Sequence, residues 1–160
     1  MRKRTGDFMS YTIRDANHSD ILDITIAAKL FSKETNHPAL NTINPNKVAN
    51  SLQQLIDSES GIVKVVCFNN EIVGAIAGVV TELPINDLIV SQELMLWLEP
   101  SHRNGKTAPK LIDAYVEWAT KLGCDYARLS ALDVVLDGKA GILFKRKGFK
   151  PIETAYIKEL

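Results

Sequence analysis

Two long apolar runs, Gly61-Ile-Val-Lys-Val-Val-Cys-Phe68 and Glu71-Ile-Val-Gly-Ala-Ile-Ala-Gly-Val-Val80, are separated by the pair Asn69-Asn70. Runs so rich in β-branched residues, split by two residues that tolerate positive φ, predict a central β-hairpin. Shorter apolar segments at 11–14, 90–98 and 126–132 predict three more strands, and 149–152 and 155–158 predict two short ones at the C-terminus. Between the strands the apolar spacing changes from two residues to three and four. This predicts helices at 19–32, 45–57, about 108–122 and 138–147, the first capped by Ser19, with Asp20 and Asp23 set to complement its dipole. Val48, Leu52, Leu55 and Ile56 stripe the second helix, while Ala108, Leu111, Ile112, Tyr115, Ala119 and Leu122 stripe the third. Strand, two helices, three strands, helix, strand, helix and two strands make an α/β order with a mixed sheet.

The chain has 160 residues, enough for one domain with a core that needs no disulfides or metals. That domain is expected over 10–160, with 1–9 as an N-terminal extension. Nineteen basic and nineteen acidic residues cancel, so no global field draws the chain to nucleic acid or to an anionic membrane. Any anion must be bound locally. Cys67 and Cys124 match no metal spacing and sit in or beside apolar runs, which predicts buried free thiols in a reducing, cytoplasmic setting. No apolar run is long enough to span a bilayer.

The chemistry concentrates where Glu93-Leu-Met-Leu-Trp-Leu98 stops before Pro100 and gives way to Arg103-Asn-Gly-Lys-Thr-Ala108, at the start of the third helix. A strand that opens through a small-residue loop into a helix N-terminus presents unpaired N–H groups and a favourable dipole to a phosphate. Gly105-Lys106-Thr107 also ends like a nucleotide-binding P-loop. That motif needs a glycine five residues earlier, however, and Pro100 stands there.

Pro100, Arg103, the small residues at the helix start and Gly148-Phe149 together resemble the GNAT superfamily of N-acetyltransferases, from residue 10 onward and in the same element order. The resemblance implies the GNAT-like fold, a mostly antiparallel mixed sheet flanked by helices. It also implies acetyl-coenzyme A as co-substrate, an amine on a small molecule or protein as acceptor, no metal, and a homodimer by analogy. Carried onto this chain, it places Arg103, Asn104, Gly105, Lys106, Thr107 and Ala108 at the pyrophosphate, and Leu96, Trp97 and Leu98 in the cleft beside the thioester. Leu98 N–H becomes the oxyanion donor. Asp137, Ala140 and Phe144 fall at coenzyme-contacting positions of the last helix. Two departures stand out: Lys106 replaces the family's glycine, and Phe144 replaces the tyrosine that often protonates the departing thiolate. Glu93 is the candidate base and Tyr156 the candidate replacement acid; His37 borders the acceptor side and His102 precedes the loop. The function implied is direct acetyl transfer to a primary amine. An acyl-coenzyme A binding module with a regulatory or assembly role is the alternative that Phe144 and Lys106 support.

Overall fold

The apolar runs pair much as their pattern predicts. The computed structural model of the chain describes residues 10–132 and 138–160, so the expected extension at 1–9 lies outside the described residues. Five strands form one sheet in sequential order: β1 (Tyr11–Asp15), β2 (Gly61–Phe68), β3 (Glu71–Glu82), β4 (Ile89–Leu98) and β5 (Tyr126–Arg128). Neighbours are antiparallel except β4 and β5, which run parallel. Asn69 and Asn70, at φ 50° and 65°, make the tight turn between β2 and β3.

Helices α1 (Ile21–Glu34) and α2 (Pro45–Asp57) cover one face, where Ile24 and Leu52 meet Val63, Val65, Ala75 and Ala77. The other face is covered by α3 (Thr107–Lys121), whose Leu111 and Tyr115 pack on Ile62, Val66, Ile76 and Leu98. Gly78 permits this approach, since a Cβ there would meet the Tyr115 ring at 2.8 Å. A fourth helix, α4 (Lys139–Arg146), seats Ala140 and Phe144 on Ile112 of α3.

Several local expectations are corrected. Ser19 does not cap the first helix but lies within a 3-10 turn over His18–Asp20 that leads into α1, and Asn17 caps that turn. Ser19 N–H donates to Asn17 Oδ1 at 2.9 Å and Asn17 N–H donates to Asp20 Oδ2 at 2.8 Å, while α1 itself starts after Asp20 with no side-chain cap. Asp20 also accepts both Arg14 Nη1 and Nη2, at 2.7 and 2.9 Å, and that pairing holds its carboxyl below the usual range. Leu122 lies past the end of α3 and is 40% exposed. Cys67 is buried while Cys124 is only partly so, and both thiols are free. The strand predicted over 126–132 ends at Arg128, and the two strands predicted at 149–152 and 155–158 do not form. Pro151 removes one ladder donor, and Glu153 is held by an ion pair with Arg128. Residues 151–160 are exposed and irregular.

A bulge in β4 positions the site. Ala77 opposes Met95 and Gly78 opposes Glu93, leaving Leu94 without a partner on β3. One extra residue inverts which face follows. Met95 therefore packs under α1 and α2, Leu96 and Leu98 pack under α3, and Leu94 is pushed outward to 56% exposure.

Candidate functional site

The site is built where β4 and β5 part. Their pairing spans only Val90–Gln92 against Tyr126–Arg128, so the last six residues of β4 have no strand beside them on that edge among the described residues. Glu99 N–H donates to Val73 O at 2.7 Å, and strand alternation therefore directs the N–H groups of Met95 and Trp97 to β3. The N–H groups of Leu96 and Leu98 face the open edge. Both leucines thus present donors to the cleft, whereas Trp97, expected there with them, turns its N–H to β3. The Trp97 side chain is buried, and its Nε1–H donates to Glu34 Oε1 at 3.1 Å.

Beyond Leu98 the chain makes a 3-10 turn over Pro100–His102 and enters α3 through the loop. Gly105 has φ +77° with nothing within 4 Å of an added Cβ, a left-handed conformation on open surface that suits glycine. Asn104 Oδ1 accepts Lys106 N–H at 2.9 Å, Thr107 N–H at 3.1 Å and Thr107 Oγ1 at 3.2 Å. An oxygen acceptor thus already occupies the mouth of α3, where the dipole favours one. Lys106 is exposed, Thr107 is buried, and Ala108 packs partly against the core.

Arg103 does not point outward as a free cation. Its Nε–H donates to Leu98 O at 2.8 Å and its Nη2 to Glu34 Oε2 at 2.8 Å, the two side chains keeping 25% and 26% exposure. Glu34, at the end of α1, was missed by the sequence reading. A buried indole N–H at Trp97 was the one available signal that a partner had to exist.

Glu93, which reads in sequence as a plain strand end, is 8% exposed on the α3 face of β4. Ser130 N–H donates to its Oε2 at 3.2 Å, and burial pushes its carboxyl up to about 7. It lies at the vertex where β4 and β5 diverge. Tyr115, fully buried nearby, donates its hydroxyl to Arg128 O at 3.1 Å, and Ser91 Oγ is buried with no partner.

The remaining candidates are placed less favourably. Ala140 and Phe144 are buried at 2% and 7% exposure between α4 and α3, where Phe144 also meets Phe149, so both serve packing. Asp137 lies outside the described residues. Tyr156 is 93% exposed on the irregular C-terminal segment. His37 Nδ1 accepts Ala39 N–H at 3.2 Å within the α1–α2 loop. His102 sits 2.9 Å from the Tyr11 hydroxyl and packs on Phe68, which pins the strand exit to the β1–β2 edge. Among the described residues no group of three or more His, Cys, Asp or Glu is placed to hold a metal. No described helix is long and apolar enough to cross a membrane. A shallow depression on α2, along Asn50, Gln53 and Asp57, holds none of the groups above.

Solved structures share this architecture. A predicted acetyltransferase from Clostridium acetobutylicum, solved with acetyl-CoA, superposes with TM-score 0.76 at 17% identity, over 94% of this chain and 96% of that one. A ribosomal-protein-alanine N-acetyltransferase from Brucella melitensis biovar Abortus 2308 gives 0.70 at 15%, over 94% and 99%. An aminoglycoside acetyltransferase from an uncultured soil metagenomic sample gives 0.72 at 17%, over 95% and 99%. These likenesses show the fold. No curated protein matches the chain. The acetyltransferase (GNAT) family model matches residues 26–149, which takes in both cleft strands, the loop and α4, and the chain therefore belongs to the GNAT family of acetyltransferases.

Proposed function

We propose that the protein transfers an acetyl group from acetyl-coenzyme A directly to a primary amine, in the cleft between β4 and β5. The observation that carries this reading is the pair of outward N–H groups of Leu96 and Leu98, beside a loop that feeds a helix N-terminus.

The residues present fit the co-substrate. The backbone of 104–108 cradles the pyrophosphate, Asn104 rotating away to release the Lys106 and Thr107 N–H groups, while the exposed Lys106 supplies a cation. The thioester carbonyl lies against Leu98 N–H, which takes up the charge that grows on its oxygen. Leu96 N–H holds the amide-bearing arm. An amine attacks only when neutral, so a proton must leave it. Glu93, ionising near 7 at the vertex of the cleft, is poised to take that proton through water at neutral pH. The departing thiolate needs no side-chain acid, because a thiol with a pKa of about 8.5 is an adequate leaving group. Phe144 in the core and Tyr156 on the exposed tail are consistent with that economy. The α1–α2 loop over 35–44 and the edge of α2 border the acceptor side, and the acceptor is an amine of a small molecule or a protein.

The test is thiol release from acetyl-coenzyme A against a panel of polyamines, aminoglycosides, amino acids and peptide amines. Amine-dependent release, with the acetylated product identified by mass, is the expected result. Saturable binding with no turnover on any amine would instead favour an acyl-coenzyme A binding module.

A further inference from the structure

The arginine that leads the coenzyme loop engages two of its three guanidinium nitrogens within the protein, and its partners form a continuous chain. Trp97 Nε1–H and Arg103 Nη2 grip the two oxygens of Glu34, at 3.1 and 2.8 Å. Arg103 Nε–H then grips Leu98 O at 2.8 Å. The peptide that joins Leu98 to Glu99 is thereby held at both ends, since its N–H donates to Val73 O at 2.7 Å. A peptide held on both sides fixes the backbone torsion of Leu98, and with it the direction of the Leu98 N–H into the cleft.

We propose that Glu34 is a positioning residue: through Arg103 it locks the end of β4 so that Leu98 N–H meets the thioester oxygen, and Arg103 acts as this brace rather than as a phosphate ligand. The inference rests on the coenzyme site proposed above and adds a specific division of labour to it. Three features favour a brace over an incidental surface pair. Glu34 and Arg103 are about three-quarters buried. The carboxylate has a second, directional donor in the indole, which fixes its plane. The guanidinium uses two different nitrogens for two different acceptors, a fork that lysine cannot reproduce. Glu34 also ends α1, immediately before the loop that borders the acceptor side, so one carboxylate ties the acceptor wall to the oxyanion donor.

The test follows the Leu98 amide by 15N NMR in Glu34→Gln, Arg103→Lys and the double variant, with coenzyme A and with acetyl-coenzyme A, alongside calorimetry and kcat on whichever amine is turned over. In the wild type the acetyl group should move the Leu98 amide beyond the shift that coenzyme A alone produces. Each single variant should lose most of that difference and about 10-fold or more in kcat, while the dissociation constant for acetyl-coenzyme A changes by less than about 3-fold. The double variant should lose no more than either single one, because both break the same brace. Glu34→Asp, which keeps the charge, should recover part of the shift and serves if Glu34→Gln fails to fold. An unchanged Leu98 shift in the single variants, additive losses, or a dissociation constant that rises as far as kcat falls would overturn the brace while leaving the coenzyme site standing. Absence of any acetyl-coenzyme A response in the wild type would overturn both.

Discussion

Glu93 is 8% exposed, and its carboxyl has one backbone donor, Ser130 N–H, in place of the water that surrounds an ordinary strand-end glutamate. Its raised pKa of about 7 makes both stability and rate depend on pH. Between roughly pH 4.5 and 7 the folded state holds a proton on Glu93 that the unfolded chain has released, so stability falls as pH rises through that window, by up to about 3 kcal/mol. Glu93→Gln should therefore be more stable than the wild type at pH 8 and nearly equal at pH 4.5, as read by urea denaturation at the two values. The same substitution should remove the limb of the kcat/KM profile that rises near pH 7 and lower the plateau by about 10² to 10⁴. Asp20 acts with the opposite sign. Its carboxyl is held below the usual range by Arg14, so the stability it adds is present above the unfolded pKa and is lost in acid. The sequence reading marked Glu93 by its place on β4 and had no means to foresee its burial or its backbone donor, Ser130, 37 residues away. Glu34 is a sharper case. Its two partners lie 63 and 69 residues distant, and nothing near it in sequence sets it apart.

At the scale of elements, local signals were legible where local physics decides. The Asn69-Asn70 turn, Pro45 opening α2 and Gly123 at φ +75° closing α3 each meet a backbone requirement that only a few residue types satisfy. The β4 bulge left no such trace, because register depends on how β3 and β4 pair rather than on either strand alone. Periodicity also overcounted at the C-terminus, where strand-like spacing found no partner strand. The loop entering α3 carries its own prediction. Asn104→Ala removes the acceptor that caps Lys106 and Thr107, which should cost about 1 kcal/mol of stability. The same change frees those N–H groups, so acetyl-coenzyme A should bind several-fold tighter; a stability scan and a titration of one variant check both signs. Gly105→Ala places a side chain at φ +77° and should cost about 1 kcal/mol while weakening coenzyme binding, although the space around it is open. Packing between α3 and α4 turns on Ile112, which is fully buried against Ala140 and Phe144. Ile112→Ala should lower unfolding free energy by about 2 to 5 kcal/mol in a denaturant titration.

For the whole molecule, the balance of nineteen basic and nineteen acidic residues means that affinity for a charged ligand must come from a built site rather than from a global field. The cleft proposed for that role opens where β4 and β5 part. Five strands run in sequential order, and the last pair separates after three residues, which turns a sheet interior into an edge without exposing it to a second sheet. The fold class was readable from the order of elements, and the cleft only through the resemblance that Pro100, Arg103 and Gly148-Phe149 carry. The wiring within the cleft was not, since it joins α1, β4 and the loop across the width of the domain. Isothermal titration of the full chain with acetyl-coenzyme A tests the central claim most directly. The account predicts saturable binding at one site per chain with a micromolar dissociation constant, weakened by added salt and by Lys106→Ala; no saturable heat at millimolar acetyl-coenzyme A would contradict it.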